Sequence, residues 1–208
     1  MKNIRILIAD DHAIVRMGLA SLFGTQDGLE VVGDAADGDS AVRKALKLKP
    51  DVVVMDLMMP VKDGAAATAE ILAAMPETKV IILTTFGTSD GIADALNAGA
   101  AGALMKSEPT ADLVAAIRKI VRGGTAVSTE IERLMEEDPP AKALTPRQMQ
   151  ILEGLTRGLT NQDIANELSI REDRVKDHVN TIFAKLGAAN RTEAVAIALR
   201  KHLLSKCQ

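Results

Sequence analysis

The chain carries a single cysteine, Cys207, next to its C-terminus. That excludes an internal disulfide framework and any cysteine-based metal cluster. Long hydrophobic runs are also missing: every apolar segment is short or interrupted by charge, which excludes a membrane-spanning helix. Met1-Lys2-Asn3-Ile4 leads directly into a strand pattern, not into the apolar stretch of a signal peptide. These absences predict a cytoplasmic protein with no membrane partner. What is present suits packed cores, since 47% of the 208 residues are hydrophobic. Charge divides unevenly along the chain. Residues 1–141 sum to −7 and residues 142–208 to +4, as expected of two domains with different partners. A small basic module suggests nucleic acid, although so modest an excess is weak support.

The front of the chain repeats short apolar runs with helical patterns between them. Ile4–Ala9, Glu30–Ala35, Val52–Met55, Val80–Thr84 and Gly102–Met105 read as strands. The stretches near 12–23, 39–48, 64–74, 88–98 and 110–122 read as helices. Five βα units predict a doubly wound, five-stranded parallel sheet. Gly123-Gly124 ends the last helix, and Thr129 with Glu132 predicts a capping box opening a short acidic helix to about Asp138. Pro139-Pro140 breaks that helix. The expected division is a first domain over 1–123, a linker over 124–143 and a second domain over 144–208.

The back of the chain has no strand pattern and predicts an all-α domain of four helices. Thr145, Pro146 and Gln148 mark a clean helix start. A second helix is expected over Asn161–Leu168, a third over about 172–185 and a fourth over Thr192–Leu204. The tight turn at Ser169-Ile170 between the second and third resembles a helix-turn-helix.

Chemistry gathers where the predicted strands end. Asp10 and Asp11 close the first run, Asp56 the third, Thr84 the fourth and Lys106 the fifth. In an open parallel sheet those ends share the edge where ligands bind. Carboxylates there can hold Mg²⁺, and a fixed ammonium can offset phosphoryl charge. The duller role for any one aspartate is to cap the following helix, as Asp11 would before residue 12.

With these residues in place, Ala9-Asp10-Asp11-His12, the run Met55-Asp56-Leu57-Met58-Met59-Pro60-Val61-Lys62-Asp63-Gly64, Thr84 and Lys106 resemble the receiver domain of bacterial two-component response regulators. The resemblance covers about 120 residues. It implies a flavodoxin-like fold in which Asp56 accepts a phosphoryl group from a histidine kinase. Asp10, Asp11, Asp56 and the backbone carbonyl of Met58 would hold Mg²⁺, while Thr84 and Lys106 would engage the phosphoryl group. Leu144-Thr145-Pro146-Arg147, Gly158-Leu159-Thr160-Asn161-Gln162-Asp163-Ile164-Ala165 and Val175-Lys176-Asp177-His178-Val179 are similar to the LuxR-type DNA-binding domain. Together the two resemblances point to the NarL/FixJ subfamily: a transcription regulator binding double-stranded promoter DNA as a homodimer when active, and admitting RNA polymerase as a further partner.

On the expected recognition helix, Arg174, Lys176, Asp177, Asn180 and Thr181 share one face. Lys176 and Asn180 suit guanine and adenine edges in the major groove. Lys185, Arg191 and Thr192 suit phosphate contacts. In the last helix, Ala194, Val195, Ala196, Ile197, Ala198 and Leu199 either complete the core or serve dimer contact, as the family uses this region.

The chain departs from the family pattern in places. Ala103 stands where relatives carry a switching aromatic, so the signal is expected to travel through Thr84, Thr85, Phe86 and the segment 87–97. Met58, where side chains screen attacking water, hints at slow self-dephosphorylation. Arg171 and Arg174 replace a serine cap and a threonine at the start of the recognition helix, a loss of about 1 kcal/mol. Enzymatic turnover is not expected, because a phosphatase with an aspartyl intermediate needs an acid/base aspartate where Met58 stands. The alternative regulator binds DNA independently of phosphorylation, with a degenerate switch.

Overall fold

The computed structural model describes residues 3–85, 89–140, 144–201 and 203–204. They form two compact units that divide between Pro139 and Pro140. Phe86, Gly87 and Cys207 lie outside the described residues. Among those described, no helix is long and apolar enough to cross a membrane.

The first unit alternates strands and helices: β1 (Ile4–Ala9), α1 (Ala13–Gly24), β2 (Leu29–Ala35), α2 (Gly38–Leu48), β3 (Val52–Met55), α3 (Gly64–Ala74), β4 (Lys79–Thr84), α4 (Ser89–Asn97), β5 (Gly102–Met105), α5 (Thr110–Val121), β6 (Ala126–Val127) and α6 (Thr129–Glu137). All strand pairs are parallel, in the order β2-β1-β3-β4-β5-β6. The strands alternate their side chains between two cores. Leu7, Ala9, Val53, Met55 and Ile82 point towards a core shared with α2, α3, α4 and Ile131 of α6. Ile6, Ile8, Val52, Val54 and Ile81 join Phe23 of α1 and Leu113, Ile117 and Ile120 of α5. Covering both faces is what lets β3 be an unbroken apolar run.

The sheet has six strands, which corrects the expected five. The sixth is only two residues long, too short to leave a periodic signal. Its place is set by backbone pairing: the Ala126 N–H donates to the Ala101 carbonyl and the Ser128 N–H to the Ala103 carbonyl, both at 3.0 Å. Gly102 permits the approach, because a Cβ there would run into the Ala126 carbonyl. β6 thereby pairs with the edge that β5 would otherwise expose. A second correction concerns α6. Its N-cap is Ser128, in extended conformation with its hydroxyl accepting from the Ile131 N–H, so Thr129 is the first helical residue and no Thr129–Glu132 box forms. The pairing of β6 ends at Ser128 and fixes the cap one residue early.

The second unit contains α7 (Pro146–Thr156), α8 (Asn161–Glu167), α9 (Glu172–Leu186) and α10 (Arg191–Arg200). Thr145 and Gln148 form a reciprocal capping box, with Pro146 at the start of α7. Thr160 and Asp163 form a second box at α8, unremarked in the sequence. Ile151, Leu155, Ile164, Val175, Val179, Ile182 and Ala194 meet in one core. α8 passes to α9 through Ser169 in the left-handed region at φ 53°. Gly187, at φ 69°, ends α9 in the left-handed conformation that suits glycine.

Candidate functional site

Strand order reverses between β1 and β3, which leaves a crevice at their C-terminal ends. The two strand ends are stitched together there, since the Asp56 N–H donates to the Ala9 carbonyl at 2.7 Å and the Asp10 N–H to that of Ala35 at 3.0 Å. Asp10 and Asp56 are buried, at 2% and 4% exposure. Lys106, just beyond β5, reaches across to both: its Nζ is 2.6 Å from Asp10 Oδ2 and 2.8 Å from Asp56 Oδ2. Thr84 ends β4, buried, and its carbonyl accepts from the Lys106 N–H at 2.7 Å.

Asp11 is not a helix cap. The N-cap of α1 is His12, which makes no side-chain cap bond. Asp11 instead faces the crevice rim, where one ligand atom each from Asp10, Asp11, His12 and Asp56 lie within 4.8 Å of one another. His12 joins this cluster although nothing in its motif assigns it a ligand role. Its Nδ1 is 2.6 Å from Asp11 Oδ1, and its N–H donates to Asp10 Oδ1 at 2.8 Å. The only signal for this was adjacency to the acid pair.

The electrostatics show a surplus of negative charge. Burial pushes the Asp56 carboxyl above the usual carboxylate range; Lys106 pulls it down, and Asp10 adds to the rise. Burial also disfavours the Lys106 ammonium, but its bonds to Asp10 and Asp56 outweigh that and raise it above the ordinary lysine value. Three carboxylates against one lysine leave a demand for positive charge. Hard oxygen donors at this spacing fit a divalent cation such as Mg²⁺.

The loop after Asp56 is held tightly. A Cβ at Gly64 would strike the Asp56 carbonyl, and the Gly64 N–H donates to Leu57 at 2.9 Å. Val61 sits at φ 69°, a costly conformation for a β-branched residue. Its neighbour's N–H closes a three-residue turn, Lys62 donating to Pro60 at 2.8 Å. Met58 is exposed beside the crevice. Ala103 is fully buried in the core that also holds Ile131.

In the second unit, α9 exposes Arg174, Lys176, Asp177, Asn180 and Thr181, while Val175, Val179 and Ile182 are buried. Lys176 pairs with Glu172 at 2.9 Å, one turn back, and that bond raises its ammonium above the ordinary lysine value. Thr181 Oγ1 donates to the Asp177 carbonyl at 2.9 Å. Arg171 caps α9 without a side-chain bond, in keeping with the lost serine. His178 is half-buried and Thr192 exposed. Two residues expected at phosphate turn inward. Lys185 Nζ donates to Gln148 at 2.9 Å, and Arg191 donates to the Leu155 and Leu159 carbonyls at 3.2 and 2.5 Å. In α10, Ala194 and Ala198 are core residues and Leu199 faces outward, 59% exposed.

Comparison with known proteins places these two sites in context. Residues 6–118 match the family described as response regulator receiver domain, and residues 142–198 match bacterial regulatory proteins of the luxR family. The transcriptional regulatory protein LiaR of Bacillus subtilis is 38% identical, over 97% of this chain and 100% of its own. The response regulator protein VraR of Staphylococcus aureus is 37% identical, over 97% and 99%. Among solved structures, the response regulator ChrA of a heme-sensing two-component system superposes with a TM-score of 0.58 at 38% identity, covering 98% of this chain and all of that one. RcsB dimers bound to DNA superpose at 0.68 with 25% identity, covering 96% and 99%.

Proposed function

Since the chain belongs to the response regulator family, joining a receiver domain to a LuxR-type DNA-binding domain, we propose that Asp56 is its phosphoacceptor. A carboxylate oxygen of Asp56 attacks the phosphorus of a histidine kinase phosphohistidine. The phosphorus–nitrogen bond breaks and an acyl phosphate forms on Asp56, with the histidine nitrogen taking up a proton as it leaves. Asp10, Asp11, Asp56 and the Met58 carbonyl would hold Mg²⁺, which would supply positive charge for the phosphoryl oxygens. Lys106, already bridging Asp10 and Asp56, keeps a cation beside the acceptor, and the Thr84 hydroxyl accompanies the new charge. The observation that carries this reading is the buried meeting of Asp56, Asp10 and Lys106 at one strand edge.

The α9 face formed by Arg174, Lys176, Asp177, Asn180 and Thr181 then reads the major groove of promoter DNA, with Thr192 at phosphate. Lys185 and Arg191 tie α9 and α10 to α7 through Gln148 and the Leu155 carbonyl. The working division is a receiver over 1–123, a connector over 124–143 and the DNA-binding domain over 144–208; the division between Pro139 and Pro140 supports a boundary within the connector. Pairing of two copies on DNA uses the exposed side of α10 around Leu199. A phosphodonor such as acetyl phosphate with Mg²⁺ should add one phosphoryl group to the wild type and none to Asp56→Asn, read by intact-protein mass spectrometry. Equal labelling of both would reject the assignment.

A second reading is favoured by Ala103. An alanine cannot swap rotamers, so a regulator that binds DNA constitutively would retain this pocket without using it as a switch.

A further inference from the structure

The first turns of α1 shelter a charged side chain and expose apolar ones. On its first turns Ile14 and Met17 are 85% and 72% exposed, whereas the Arg16 side chain between them is only 17% exposed. A cation near a helix N-terminus is also at the unfavourable end of the helix dipole, and α1 has no acidic residue in its first turn to offset it. Something outside the helix must therefore hold Arg16 inward. The contacts identify it. Arg16 Nε donates to Asp34 Oδ2 at 2.8 Å, and Nη1 donates to the carbonyls of Asp10 at 2.7 Å and Asp11 at 3.3 Å.

We infer that Arg16 is a positioning residue for the acidic pocket, fixing the backbone of Asp10 and Asp11 so that their carboxylates meet Asp56. The inference rests on the proposed role of that pocket. Asp34 is the anchor: it lies at the C-terminal end of β2, paired in register with Ile8 of β1, so the guanidinium ties the β1–α1 loop to the neighbouring strand. The planar fork lets one side chain serve a carboxylate and two carbonyls together, which a lysine cannot reproduce. The His12 N–H completes the arrangement by holding Asp10 Oδ1. Arg16 itself touches none of the three carboxylates that face the crevice.

The test is Mn²⁺ affinity of the full-length protein, measured by electron paramagnetic resonance, because Mn²⁺ accepts the same oxygen donors. Arg16→Gln should weaken binding about tenfold or more, in the range seen for lost supports of metal ligands, with an unchanged far-ultraviolet circular dichroism spectrum. Arg16→Lys should recover part of the loss. Asp34→Asn, which removes only the anchor, should show a smaller loss and serves if Arg16→Gln does not fold. Wild-type affinity in folded Arg16→Gln, or in Asp34→Asn should the first variant not fold, overturns the inference while leaving the pocket intact. A wild-type protein that binds no Mn²⁺ overturns the reading of the pocket itself.

Discussion

In the α/β unit the candidate residues Asp10 and Asp56 are buried and face Lys106, whereas the candidate residues of α9 in the helical unit are exposed and face outward. Asp10, Asp56 and Lys106 meet within 2.6–2.8 Å. Their energies are coupled, so removing one changes the others. On α9, Lys176 answers mainly to Glu172 across one turn, in solvent that screens the pair. On the proposed assignment the same side-chain types carry chemistry in one unit and recognition in the other, and substitutions should separate the two behaviours.

The largest effect is expected at Lys106. Lys106→Met leaves two buried carboxylates facing each other and should cost about 3–5 kcal/mol in metal-free stability. Urea unfolding measures the loss, and added Mg²⁺ should restore part of it. On the helical side, Lys176→Ala and Asn180→Ala should each weaken specific DNA binding roughly tenfold or more while leaving thermal stability unchanged. Loss of folding in either would blur the distinction between the units. Arg191→Met should do the reverse of Lys176→Ala: it takes the guanidinium from the Leu159 carbonyl and leaves that of Leu155 with its backbone bond from Gly158, and should cost about 1–3 kcal/mol of stability, seen by thermal melting.

A subtler prediction concerns pH. The folded state holds the Asp56 proton more tightly than the unfolded chain does. Native protein therefore binds more protons just above the ordinary carboxylate value of 3.8, and stability falls as pH rises through that window. Asp56→Asn should thus be more stable than wild type at neutral pH without metal, and the advantage should shrink as pH drops. Lys106 shifts stability in the same direction at the other end of the scale. Its raised value contributes stability that is complete below 10.5 and lost as pH rises through the folded-state value.

Much of the first unit was legible because its signals are local. Apolar runs ending in Asp10, Asp56 and Lys106 specify both strand and site, since a parallel sheet brings those ends together. β6 escaped notice because two residues show no period; only pairing with Gly102 and Ala103 makes Ala126–Val127 a strand. Ser128 displaced Thr129 as cap for the same reason. In the second unit, periodicity located α9 and its exposed face correctly in outline. It could not show that Lys185 and Arg191 turn inward, because long side chains choose partners from neighbouring helices that spacing does not reveal. Arg16 belongs to this class too, as its partner Asp34 comes from β2.

On the proposed reading, the buried pocket governs the exposed α9 face. That relation is tested most directly by measuring promoter DNA affinity for wild type and Asp56→Ala at fixed salt, with and without phosphodonor and Mg²⁺. The donor should tighten binding by wild type alone. Identical tightening in both proteins, or none in a wild type shown to be phosphorylated, would contradict it.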